Sequence, residues 1–91
     1  MTAWLACRAS RGMFPHEVAV LVLAADGRLL SFFAPRSEVR LSVEPGDTEV
    51  PVTIRVEVLA QEAGQSVVRL PIEPFEGSRV TRVNGDLLAV A

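Results

Sequence analysis

Val50-Pro51-Val52-Thr53-Ile54-Arg55-Val56-Glu57-Val58-Leu59-Ala60-Gln61 decides the class of this chain. Val50, Val52, Ile54, Val56 and Val58 occupy every second position, with Thr53, Arg55 and Glu57 between them. A period of two belongs to a strand with one face in a core and the other in water. Valine and isoleucine, stiff at χ1, also favour a pleated surface over a helix. The stretch therefore predicts the longest strand of an all-β protein.

The neighbouring segments repeat the pattern. Glu38–Glu44 alternates in the same way, with Val39, Leu41 and Val43 opposed to Glu38, Arg40 and Ser42, and Pro45-Gly46-Asp47 ends it. On the other side, Glu62–Gln65, with Gly64, turns the chain into Ser66–Ile72. Towards the N-terminus, strands are predicted over Thr2–Ala9, Glu17–Ala24 and Arg28–Ala34. The last two are joined across Ala25-Asp26-Gly27, since Asp-Gly tolerates the backbone of a tight hairpin. Towards the C-terminus, Arg79–Val83 and Asp86–Val90 flank Asn84-Gly85, the strongest short-range hairpin signal. Strands separated by short turns at regular spacing give a small antiparallel barrel or a two-sheet sandwich of seven to eight short strands, in one domain over residues 1–91. No internal repeat is legible in the sequence.

Composition narrows the functional classes. Ninety-one residues leave room for one core, and 49% of them are hydrophobic. Nine arginines against eleven acids give a net charge of −2, which offers no long-range attraction to phosphate backbones or anionic lipid. The absence of lysine beside 14 valines and 11 alanines fits the coding bias of a GC-rich, bacterial genome. The single cysteine, Cys7, forms no internal disulfide, and the apolar run Ala3–Cys7 is too short for a signal or a membrane span. A cytoplasmic protein is expected.

The reactive inventory is thin. Cys7 and His16 are the one conceivable nucleophile and base, and their spacing does not guarantee contact. Two such ligands do not close a metal site, and Glu44, Asp47 and Glu49 lack the regular spacing of a calcium loop. Neither metal nor cofactor is expected. The six glycines are spread one to a turn and form no phosphate loop. For nucleic acid, Phe14 with Arg11 and Phe75 with Arg79 are the aromatic-and-arginine combinations that a stacking groove would use.

Two features exceed what a plain scaffold needs. The hairpin Glu17–Ala34 is apolar on both faces, with Val18, Val20 and Val22 on one side and Ala19, Leu21 and Leu23 on the other. One core buries one face, so the other is covered either by another segment of the same chain, as a plug or a second sheet, or by a second subunit, which is the reading favoured; Leu21, Leu23, Leu30 and Phe32 are the candidate contact residues. The loop Arg11–His16 carries Met13, Phe14 and His16, either as a lid tucked onto the core or as a recognition loop. The expected function is a non-enzymatic protein-interaction or structural module that self-associates as a homodimer. A small-barrel nucleic-acid binder is the alternative, and an enzyme using Cys7 and His16 or a carboxylate pair is the third reading.

Overall fold

A computed structural model describes residues 1–90. Eight strands follow one another: β1 (Thr2–Arg11), β2 (Glu17–Leu23), β3 (Leu29–Pro35), β4 (Val39–Arg40), β5 (Val50–Glu62), β6 (Gln65–Arg69), β7 (Val80–Asn84) and β8 (Leu88–Val90). Single 3₁₀ turns at Arg36–Glu38 and Gly85–Leu87 precede β4 and β8, and no α-helix occurs among the described residues. All strands belong to one antiparallel sheet, ordered β3-β2-β1-β5-β6-β7, with β8 beside β1 and β4 beside β5. The sheet curls into a half-barrel, so the barrel-like expectation holds and the described residues form no second sheet.

The core is the inner face of that curl. The valines and isoleucine picked out by the alternation of β5 point into it: Val52, Ile54, Val56 and Val58 are buried, as are Leu5, Val18, Val20, Val22, Phe32, Val68, Leu70 and Val83. A register shift between Val58 and Ala60 ends the clean alternation, and Leu59 is turned towards solvent.

The topology contains a duplication. A long strand, a hairpin, a 3₁₀ turn and a short strand occur as β1–β4 and again as β5–β8. A shift of 49 residues carries the turn Arg36–Glu38 onto Gly85–Leu87. The same shift carries the pairs Val39↔Ile54 and Arg40↔Thr53 onto Leu88↔Leu5 and Ala89↔Trp4. Arg36 N donates to His16 O at 2.9 Å, and Gly85 N donates to Gly64 O at 2.8 Å in the matching place. Each hairpin tip also reaches across the open side of the curl: Ala25 N donates to Arg82 O at 2.8 Å and Phe75 N to Ser31 O at 2.9 Å. Between β2 and β6 the offset drops to 48, as for the acceptors His16 and Gly64, so that Val20 opposite Ala9 matches Val68 opposite Val58; the strands otherwise share little beyond alternation, which hides the duplication from a reading of residues.

Two expected elements are corrected. Asn84-Gly85 does not join β7 to β8 in a hairpin, because Gly85 opens a 3₁₀ turn that delivers β8 to β1. The two-residue turn with positive φ at both centres lies instead at Ala63 (φ 43°) and Gly64 (φ 80°), between β5 and β6, as a type I′ turn requires. The strand expected over Glu38–Glu44 shrinks to Val39–Arg40. Arg36 donates from its guanidinium to Glu44, and Arg11 N donates to Gly46 O at 2.7 Å, so the chain leaves the edge of β5 after two residues.

Candidate functional site

The outer face of the β2–β3 hairpin is where the apolar surplus lies. The turn encloses three residues, with Ala24 N donating to Arg28 O at 2.9 Å and Gly27 N to Ala24 O at 3.0 Å. An odd-length loop pairs residues of equal parity: Leu21 faces Ser31, Leu23 faces Leu29, Val20 faces Phe32 and Val22 faces Leu30. Directly opposed residues share a face. The expected grouping of Leu21 and Leu23 with Leu30 and Phe32 is therefore corrected, since that mixture needs an even-length loop. Leu30 and Phe32 are in the core at 2% and 1% exposure. Leu21, half-buried, and Leu23, exposed, look outwards with Leu29 and Phe33. Phe75 adds to the same surface, its ring edge-on to Phe33 at 5.5 Å between centroids. Leu29, Phe33 and Phe75 were not among the expected contact residues; the parity of the turn was the signal that would have found the first two.

The loop after β1 does not act as a lid. Met13 and Phe14 are 71% and 57% exposed, so they close nothing. The loop is nonetheless held. Met13 N donates to Glu17 Oε2 at 3.0 Å, Arg36 Nε donates to Pro15 O at 2.7 Å, and Phe14 stacks on His16 at 5.9 Å with 12° between the rings. Gly12 lies so close to Glu17 that a Cβ there would stand 2.7 Å from its carbonyl oxygen. Among the two expectations for this loop, the geometry is that of an anchored display of Met13, Phe14 and His16.

The chemical candidates are dispersed. The β1–β2 ladder sets Arg8 beside Leu21, which places Cys7 level with Val22, six residues along from His16. At roughly 3.3 Å per residue they are about 20 Å apart. Burial pushes the Cys7 thiol up to about 12, so the thiolate is scarce at neutral pH. Glu44, Asp47 and Glu49 do not converge either, as each meets its own arginine: Arg36, Arg11 and Arg8. Among the described residues no three histidine, cysteine or carboxylate side chains group as metal ligands.

The arginines are occupied as well. Arg8, Arg11, Arg28, Arg36, Arg55, Arg69 and Arg82 each pair with a carboxylate, and Arg79 donates to the carbonyls of Leu70 and Pro71. Arg40 lies over the ring of Trp4 at 3.9 Å, with Arg55 at 5.5 Å, a cation–π arrangement that covers the indole. Phe14 and Phe75 therefore stand without a stripe of free arginines beside them. No protein-family model, no curated protein and no solved structure matches this chain.

Proposed function

We propose that this chain is a non-enzymatic β-module that pairs with a second copy of itself through the outer face of the β2–β3 hairpin. The observation that carries the reading is the set of apolar side chains on that face: Leu21, Leu23, Leu29, Phe33 and Phe75. Leu29 and Phe75 are 60% and 68% exposed. The outer face of β5 presents Thr53, Arg55 and Glu57 instead, as a solvated sheet face does. A contiguous apolar patch on one face of a small domain marks an interaction surface, and a face that meets its own copy about a two-fold axis is the commonest way to cover one. A reducing, cytoplasmic setting suits a chain whose lone Cys7 has no internal partner.

Sedimentation equilibrium tests the reading. The wild type is expected as a dimer at tens of micromolar, and Leu23→Glu and Leu29→Glu as folded monomers with unchanged circular dichroism. A wild-type monomer at that concentration overturns the proposal.

A further inference from the structure

Seven of the nine arginines meet a carboxylate and Arg79 meets two carbonyls, which leaves Arg40. Among the described residues no acid pairs with it, and its guanidinium lies instead 3.9 Å above the centre of the Trp4 ring. Beneath it is a second donor without an acceptor. Trp4 is 8% exposed, and among the described residues its Nε1–H is buried with no hydrogen-bond partner. Buried polar groups are nearly always paired, and an indole N–H or a guanidinium can only donate.

The ladders place these groups together. Trp4 faces Arg55 across β1–β5 and Ala89 across β1–β8, and Arg40 faces Thr53 across β4–β5. Directly opposed residues share a face, so all of them, with Ala6, stand on the outer face of the sheet. Arg55 is engaged by Glu38 at 3.8 Å, and the charge of Arg40 is left uncompensated. The cluster therefore carries one net positive charge and two sets of donors, and it lacks an acceptor.

We propose that Arg40 and Trp4 bind the carboxylate of a small organic acid, one oxygen on the guanidinium and the other on the indole Nε1–H. A single charge and a forked donor fit a monocarboxylate better than a phosphate dianion. Arg40 is exposed and held by no acid, so it can slide along the ring to admit the ligand. The apolar part of the acid then rests on the methyl groups of Ala6 and Ala89, both exposed. The outer face around the cluster, with Thr2, Thr53, Arg55 and Glu57, is polar, which suits a small solute over a docking protein. The site uses none of Leu23, Leu29, Phe33 and Phe75, so it and the pairing face stand or fall separately.

Trp4 is the only tryptophan, so its emission and its indole N–H resonance report on this site alone. The probe is sodium butyrate, titrated into the full chain against sodium chloride at equal ionic strength and against butyramide, its neutral counterpart. A saturable change of emission in the millimolar range is expected for butyrate only, with a downfield shift of the Nε1 proton as it gains an acceptor. Arg40→Gln, at an exposed position, should leave the fold intact and weaken binding roughly tenfold or more, the range that a charge-assisted hydrogen bond commands. Trp4→Phe keeps a ring under Arg40 without the N–H, and calorimetry should show weaker binding; if that variant fails to fold, the Nε1 shift of the wild type decides the point. Several results overturn the proposal: chloride or butyramide reproducing the change, undiminished binding by Arg40→Gln, an Nε1 proton that stays in place at saturation, or tighter binding of inorganic phosphate. So does tighter binding of a blocked acidic tetrapeptide than of butyrate, which would give the site to a protein partner.

Discussion

Leu5 stands directly opposite Ile54 across the β1–β5 ladder, and both side chains are fully buried. The shift that relates the two halves carries one onto the other, so the pair marks the centre of the duplication and of the core. Truncating either, as Leu5→Ala or Ile54→Ala, should cost about 2–5 kcal/mol, because the lost methyl groups leave a cavity that a curled sheet cannot collapse into. The double variant should depart from additivity, since the two sites share neighbours. Urea denaturation of the four proteins checks both points.

Ala63 holds φ at 43°, the left-handed region that a Cβ disfavours. Ala63→Gly or Ala63→Asn should therefore leave the fold intact and raise stability by about 0.5–1 kcal/mol. In a domain of this size that corresponds to a rise in Tm of several degrees, on the order of 4–8 °C per kcal/mol. A fall in Tm for both variants would count against the type I′ turn between β5 and β6.

Cys7 should resist alkylation. Its thiol is held up at about 12 by burial alone, so at pH 8 the native protein should react with iodoacetamide far more slowly than the urea-unfolded chain. Rapid modification of the native state would contradict the buried placement of β1 and reopen a nucleophilic role.

Arg36 hydrogen-bonds Glu44 and holds its carboxyl below the ordinary 4.5. A folded value below the unfolded one means that the contact stabilises the fold above pH 4.5, and that this contribution disappears as pH falls through the folded value. The Tm of the wild type should decline on acidification, and that of Glu44→Gln should decline less steeply over the same range. The pair is exposed, so the difference should be small and should shrink further in salt.

How far the residues alone could be read is visible in particular elements. In β5 the alternation from Val52 to Val58 named the buried face correctly, because burial on a strand depends only on parity once one face is dry. In the hairpin Glu17–Ala34 the same reasoning found both strands yet misplaced Leu30 and Phe32, because parity within a strand does not say which face of the neighbour it shares. That is set by the length of the turn, Ala25–Gly27. The loop Arg11–His16 was legible as unusual, but its anchoring depends in part on Arg36, a residue brought to it by folding.

The sequence by itself determined what is local: the all-β class, the near extent of most strands, the dry face of β5 and the thin supply of reactive groups. Alternation, β-branching and turn chemistry act within a few residues, so they can be read one segment at a time. Only the tertiary structure decided which distant strands pair. The backbone bonds of a ladder are alike for every side chain, and Asn84-Gly85 would serve a hairpin as readily as the crossover it makes. Closing the curl over Leu5 and Ile54 sent β8 to β1 and β4 to β5.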